Sequence, residues 1–400
     1  MGSFFSRVAT WLNQHDIDVR KINFNGGDWL YHRHLNATDY RGALGDFSPF
    51  LENFISTERI DGIVCFGDCR HYHVVAKQVA AMLGIPFFVF EEGYVRPDYI
   101  TLECSGVNVH SMLPKSTDFY RSLPEIDVAK PKPAHPSFFR AAWAAMTYYA
   151  AGRLLGARYP SYRHHKKFSI RYEARAWGRS WVRKHVNRWR DKPVFDTLLR
   201  EFDGKYYAVA LQVYNDSQVT NHSSYDDVRD FIREVVASFA ANADPDQHLV
   251  FKHHPMDRGQ RDYRRLLTSL SEKHGVTGRV HYLHDIHLPT LLRHSRGVVT
   301  INSTVGLSAL YHNKPLMVMG RALYNLPGLT FQGELEQFWS AQMRVDKVLW
   351  RRFRAYVITQ TQLNGAFHGR DFHSLMHGTQ KVVQTQLSTP LITLPLGRGY

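Results

Sequence analysis

Short apolar runs of strand length alternate with stretches of helical period in two blocks of this 400-residue chain, and a strongly basic segment divides the blocks. The first block reads as strand at Ile17–Phe24, helix at Phe47–Thr57, strand at Ile60–Phe66, helix at His73–Leu83 and strand at Pro86–Phe90. The second reads as strands at Tyr206–Tyr214, His248–His253, Arg279–Leu283, Val298–Ile301 and Pro315–Met319, with helices at Tyr225–Ala241, Tyr263–His274, Leu288–Arg293 and Ser303–His312 between them. Parallel strands need a crossover and a helix is its usual form, so the rhythm predicts an α/β fold with two Rossmann-like parallel-sheet domains. Helices are expected again at Leu335–Arg354 and Val357–Asn364, ahead of a polar tail.

The charge is as unevenly spread as the apolar pattern. The net formal charge is +14, and the segment from Pro136 to Lys192 holds fourteen Lys or Arg against Glu173 and Asp191, so +12 of it sits there. Aromatics such as Phe138, Trp143, Tyr148, Trp177, Trp181 and Trp189 are interleaved with those cations. A solvated helical face and an interfacial element on an anionic leaflet both fit this pattern; Trp and Tyr beside Lys and Arg suit the headgroup layer. Nucleic acid is not an expected partner, because no helix-turn-helix, zinc-finger or RNA-binding signature accompanies the charge. The run Lys130-Pro131-Lys132-Pro133 marks a stiff boundary before the segment.

Three cysteines, Cys65, Cys69 and Cys104, are too few for a disulfide framework, and no signal-like opening or twenty-residue apolar run is present. A cytoplasmic protein, peripheral on the inner face of the membrane, is the expectation. Cys65, Cys69, His71 and His73 match no zinc spacing, so no metal and no cofactor are expected.

Ligands in open α/β sheets sit outside the carboxyl ends of the strands, and four such places carry chemistry here. Phe88-Val89-Phe90 runs into Glu91, Glu92 and Gly93, with Arg96 beyond; a carboxylate there suits acid/base work, the alternative being a solvated turn. Leu211-Gln212-Val213-Tyr214-Asn215-Asp216 ends a strand in polar groups whose one ionisable member is Asp216, a residue type that also serves as a plain helix cap. Lys252-His253-His254-Pro255 sets ammonium and imidazole beside a stiff exit, which suits a phosphate. Asn302-Ser303-Thr304 enters a helix whose free N–H groups favour an anion, although Ser303 as a simple cap explains the same residues. Together these sites have the layout of a two-domain, GT-B-like glycosyltransferase. The expected division is an acceptor-side domain at 1–130, a basic aromatic helical insert at 131–203, a nucleotide-sugar domain at 204–332 and C-terminal helices and tail at 333–400.

Beyond chemistry, the residues resemble a family, the capsular polysaccharide β-Kdo transferases of the KpsS type. The resemblance is carried by Gly2-Ser3-Phe4-Phe5, Ile22-Asn23-Phe24-Asn25-Gly26-Gly27-Asp28, Phe66-Gly67-Asp68-Cys69-Arg70, the Glu91-Glu92-Gly93-Tyr94-Val95-Arg96-Pro97-Asp98 run, Gln212 to Gln218, His254-Pro255 and Asn302-Ser303-Thr304. It implies a GT-B enzyme that moves β-Kdo with retention from CMP-Kdo to a phosphatidylglycerol-type lipid, starting the poly-Kdo linker of a capsular polysaccharide for export. It further implies Asp216 as nucleophile and Glu92 as acid/base. Lys252, His254, Asn302, Ser303 and Thr304 would hold the nucleotide sugar, and Glu91, Gly93, Arg96 and Gln212 would line the acceptor side. CMP-Kdo, an anionic lipid acceptor, the inner-leaflet surface and other capsule assembly proteins are the implied partners. Family members open with a strand ahead of the Gly-Phe-Phe element, whereas Met1 directly precedes it here; either the start lies further upstream or the sheet lacks its opening strand, with the Gly-rich acceptor loop then affected. Two alternatives stand beside this reading: a transferase for another CMP-activated ulosonic acid such as sialic acid, and a non-catalytic membrane adaptor of a capsule exporter.

Overall fold

The second block of alternating apolar runs forms one five-stranded sheet in the computed structural model, which describes residues 2–163, 170–214 and 223–388. The chain divides into two compact units: Met1–Met112, Val128–Lys167 and Val357–Tyr400 form unit 1, and Leu113–Asp127 with Phe168–Tyr356 form unit 2. The basic insert expected as one segment is thereby shared between the units, with the division falling between Lys167 and Phe168.

Unit 1 holds β1 (Lys21–Asn23) and β2 (Ala37–Asp39), a short parallel pair, and a separate sheet of β3 (Ile63–Phe66), β4 (Phe87–Glu92), β5 (Tyr99–Cys104) and β11 (Gln362–Asn364) in the order β11-β5-β4-β3. The helix His71–Leu83 connects β3 to its parallel neighbour β4, giving the anticipated βαβ element. β5 and β11 then extend that sheet antiparallel. Side chains alternate across β4, and both faces are covered. Phe87 and Val89 enter a core with the helices Phe47–Glu58 and His71–Leu83, while Phe88 and Phe90 enter another with Phe4–Asn13 and His373–Ser388. Burial on both faces is why this strand reads as an unbroken apolar run rather than an alternating one.

In unit 2, β6 (Tyr206–Ala210), β7 (His248–Lys252), β8 (Val280–Leu283), β9 (Gly297–Thr300) and β10 (Leu316–Val318) pair only in parallel, in the order β10-β9-β6-β7-β8. The helices Val228–Asn242, Arg264–Lys273, Leu288–His294 and Val305–Tyr311 make the successive crossovers. This is an α/β fold with parallel sheets. The strand order reverses between β6 and β9, a topological switch point where such sheets open a crevice.

Two differences from the sequence expectation concern the tail. The helix expected over Leu335–Arg354 is interrupted: Leu335–Phe338 ends where Trp339 is drawn fully into the unit 2 core, its indole N–H donating to Ser238 Oγ at 2.9 Å. A new helix, Lys347–Thr361, then gives way to β11 at Gln362, where helix had been expected to continue to Asn364. The reason is tertiary: the Gln362 side chain accepts from the Tyr94 N–H and donates to Thr101 Oγ1, tying this stretch into the sheet edge.

Candidate active site

In unit 2 the polar residues expected at strand ends do collect at the carboxyl edge of one sheet. Gln212, just beyond β6, and Asn302, just beyond β9, bond reciprocally across the switch point. Gln212 Nε2 donates to Asn302 Oδ1 at 3.0 Å, and the Asn302 N–H donates to Gln212 Oε1 at 3.3 Å. Gln212 is buried, so this pair is a fixed part of the crevice floor.

Lys252 ends β7 and its ammonium donates to the carbonyls of His253, at 3.2 Å, and His284, at 2.9 Å, which joins the β7 and β8 ends. Burial lowers its pKa to about 8, with the Asp285 carboxylate pulling the other way. The adjacent histidines have different fates. His253 is buried with Nδ1 2.7 Å from the Tyr282 hydroxyl, and burial takes its pKa down to about 3, so its ring is neutral. His254 faces the edge, half-buried, and its Nδ1 accepts from the Met256 N–H at 3.2 Å. A neutral ring so held carries its proton on Nε2, as a donor.

Ser303 Oγ accepts from the Val305 N–H at 3.2 Å, so the capping role expected as the simpler explanation is present. Thr304 occupies the N-cap position of Val305–Tyr311 without a side-chain cap bond, and its hydroxyl has no hydrogen-bond partner among the described residues. Asp216 lies outside the described residues.

In unit 1 the expected acids lie on β4 itself. Glu91 pairs with Thr101 and Glu92 with Ile100 in the antiparallel ladder, Glu91 half-buried and Glu92 exposed. The Glu92 N–H donates to Glu91 Oε1 at 2.9 Å, which orients the first carboxylate along the strand and leaves the second outward. Gly93 is required by packing, since a Cβ there would lie 2.1 Å from the Tyr99 carbonyl oxygen. Arg96 Nε donates to the Gly93 carbonyl at 3.2 Å and braces that turn. The Gly26-Gly27 pair of the expected acceptor loop has a packing role as well: added Cβ atoms would meet Ala151 O at 2.3 Å and the Tyr148 ring at 2.5 Å, so the glycines admit the helix Phe138–Leu154.

Two acid networks in unit 1 were not singled out by sequence. Glu103 on β5 is buried, accepts from the Tyr94 hydroxyl at 2.6 Å and from the Ser111 hydroxyl, and burial pushes its pKa up to about 7. The Asn108 N–H donates to the same Tyr94 hydroxyl at 2.6 Å. Asp68, at the end of β3, receives Lys77 Nζ at 3.0 Å and lies 2.8 Å from His110 Nδ1. Burial raises its pKa, but Lys77 and His110 outweigh that and hold the carboxyl below its ordinary range. Asp68, Cys69 and His110 are close enough to share a metal ion. The Lys77 ammonium already sits on Asp68 Oδ2, however, and burial pushes the Cys69 thiol up to about 12, so this cluster fits an ion-pair network better than a thiolate metal site. Part of the signal exists in sequence: Tyr94 falls within the Glu91–Asp98 run and Asp68 within Phe66–Arg70, yet nothing in either stretch tells a buried acid from an exposed one, and Glu103 lies beyond both.

The family model described as "Capsule polysaccharide biosynthesis protein" matches residues 61–368. The chain is 48% identical to the capsule polysaccharide export protein KpsS of Escherichia coli, the match covering 92% of this chain and 95% of that one. It is 40% identical to the capsule polysaccharide modification protein LipB of Neisseria meningitidis serogroup B, covering 93% and 90%. Among solved structures, the β-Kdo 2,7 transferase of Thermosulfurimonas dismutans KpsC aligns over 92% of this chain and 99% of its own at 14% identity and a TM-score of 0.43.

Proposed function

Because the chain belongs to the capsule polysaccharide biosynthesis protein family, we propose that it is a retaining, GT-B-type glycosyltransferase that moves β-Kdo from CMP-Kdo to a phosphatidylglycerol-type lipid. The observation that carries this reading is the reciprocal Gln212–Asn302 pair at the switch point of an all-parallel sheet, flanked by Lys252, His254, Ser303 and Thr304. Nucleotides bind at that place in open α/β sheets. Two donors of the Lys252 ammonium are committed to carbonyls and the third goes to the CMP phosphate, together with His254 Nε2–H and the Thr304 hydroxyl. The relatives are named for capsule export and modification, which suits an enzyme that starts a lipid-linked polymer. CMP-Kdo as donor rests on the motif resemblance.

Retention takes two displacements. Asp216 attacks the anomeric carbon of Kdo, and CMP departs with the electron pair of the broken C–O bond. The lipid hydroxyl then attacks the same carbon, releasing the Asp216 carboxylate, while Glu92 takes the hydroxyl proton. Such an acceptor places the enzyme at the inner leaflet. Among the described residues no helix is long and apolar enough to cross a membrane, but the helix Ile170–Glu201 exposes Trp177, Trp181 and Trp189 alongside Lys184 and Arg188, a face suited to anionic headgroups.

The test supplies CMP-Kdo with phosphatidylglycerol, either as a soluble short-chain analogue or in anionic vesicles, and follows Kdo-lipid by mass spectrometry. Product is expected from both, with Glu92→Gln and Asp216→Asn slower by about 100-fold or more. Replacing Trp177, Trp181 and Trp189 by Ser should lower the rate on vesicles alone. Unchanged lipid with wild-type protein overturns the reading; product from CMP-sialic acid in preference to CMP-Kdo changes the sugar. Full activity in both acid variants removes Glu92 and Asp216 from the chemistry.

A further inference from the structure

Unit 1 contains a cavity of about 360 Å³ outside the candidate active site, at the carboxyl edge of the small β1/β2 sheet. Asn23 and Asp39, the final residues of the two strands, are partners in register, and both line it. Three guanidiniums, from Arg33, Arg41 and Arg158, surround the same space with Trp29. Trp29 orients two of them: Arg33 Cζ lies 5.8 Å and Arg158 Cζ 5.5 Å from its ring centroid.

The charges do not balance. Asp39 is the cavity's one carboxylate, and it is saturated, with Arg158 at 2.6 Å, the Tyr159 hydroxyl at 2.7 Å, Asn23 Nδ2 at 3.2 Å and Arg41 at 3.6 Å. Among the described residues Arg33 makes no hydrogen bond or ion pair at all, only its stack on Trp29. The cavity therefore carries a net +2 on planar forks that match tetrahedral oxyanions. Asn23 is 1% exposed and its Oδ1 has no hydrogen-bond partner; as an acceptor that atom calls for a ligand hydroxyl beside the anion rather than for the anion itself.

We propose that this cavity is an anion site that takes the phosphate of a phosphate ester, with Arg33 and Arg41 as its principal donors and Trp29 holding the Arg33 fork in place. Its volume is at the small end of ligand cavities and accommodates a phosphate with a short polyol rather than a nucleotide sugar. The site does not depend on the transfer chemistry proposed above.

Titration calorimetry on the full chain tests it with inorganic phosphate, glycerol 1-phosphate, short-chain phosphatidylglycerol below its micelle concentration, and gluconate. Wild-type protein should bind the phosphate probes, and Arg33→Ala and Arg41→Ala should each weaken binding about 5- to 10-fold without lowering the melting temperature, since both side chains are exposed. Arg351→Ala, remote in sequence and paired with Glu125, should bind as wild type. Trp29→Phe should weaken binding less than either Arg variant. Comparable affinity for all three phosphate probes identifies a soluble phosphate ester as the source; binding of the lipid analogue alone identifies a headgroup. Absence of binding, gluconate binding as tightly as phosphate, or undiminished affinity in the Arg33→Ala/Arg41→Ala double variant overturns the assignment. Because the phosphate groups proposed for unit 2 are intact in that double variant, its result separates this site from the nucleotide site.

Discussion

At the carboxyl end of β3 and along β4, unit 1 carries Asp68, Glu91 and Glu92, with Glu103 on the neighbouring strand; at the corresponding edge of its sheet, unit 2 carries Lys252, His253, His254, Gln212 and Asn302. The acidic set and the basic set obey one rule. Where burial outweighs any opposite charge the neutral form is favoured, as in Glu103 with its raised pKa and His253 with its lowered one. Where a buried carboxyl has charged partners it stays ionised, as in Asp68 beside Lys77. Depth and partners, rather than residue type, thus decide which of these groups carries charge. The acidic set belongs with the acid/base role proposed for unit 1, and the basic set with the phosphate binding proposed for unit 2.

The comparison is most strongly tested where backbone geometry carries the acidic edge. Gly93→Ala sets a methyl against the fixed Tyr99 carbonyl, and neither can move without breaking the β4–β5 ladder. A loss of about 3 kcal/mol in urea unfolding is expected, with the acid/base activity assigned to Glu92 falling in parallel. Wild-type stability in this variant would mean that the turn between β4 and β5 is not a rigid support.

A smaller effect belongs to the basic unit. Gln212→Leu keeps bulk but strips Asn302 of both its bonds across the switch point, which costs about 1–3 kcal/mol and frees the crevice floor to shift. Nucleotide affinity, measured by calorimetry with CMP, should weaken while the response of the acidic unit to pH is untouched. Unaltered CMP affinity would detach the Gln212–Asn302 pair from the nucleotide.

Much of unit 2 was legible in the sequence because β6, β7, β9 and β10 are buried along nearly their whole length in an all-parallel sheet, so each appears as an apolar run closed by polar residues, while β8, at one edge, is mostly half-buried. Lys252, His254, Asn302 and Ser303 were found by that signal, and the structure gathers them with Gln212 on one sheet edge. Unit 1 was less legible. β5 contains Thr101 and Glu103 among its apolar residues and follows a Pro-Asp turn, so nothing marked Tyr99–Cys104 as a central strand. β11 arrives from some 260 residues away, a pairing that local pattern cannot carry. Gly26 and Gly27 admit the close approach of a helix; sequence shows that a side chain is missing but not what fills its place. The cationic cavity was missed for a related reason, since Arg33, Arg41 and Arg158 fall in no common motif and meet through the β1/β2 register and the return of the chain after the helix Phe138–Leu154.

The smallest expected effect concerns the proton on Glu103. Its folded pKa, about 7, lies above the ordinary value of 4.5, so between those values the folded chain holds a proton that the unfolded chain releases. The resulting contribution to stability is present below pH 4.5 and is lost as pH rises toward 7. His253, shifted the other way to about 3, produces the opposite trend: its neutral folded form is undisturbed above pH 6.5, and stability falls as pH drops from 6.5 toward 3. Glu103→Gln keeps a group able to bond with the Tyr94 and Ser111 hydroxyls but cannot ionise. Urea midpoints taken from pH 4.5 to 7.5 should therefore rise more steeply with pH in Glu103→Gln than in wild type, the two proteins differing little at the acid end and the variant becoming the more stable by a modest margin near pH 7. Parallel curves would show that Glu103 is ionised in the folded chain across this range, and the shared rule that burial favours the neutral form would then hold for the histidine in unit 2 but not for the acid in unit 1.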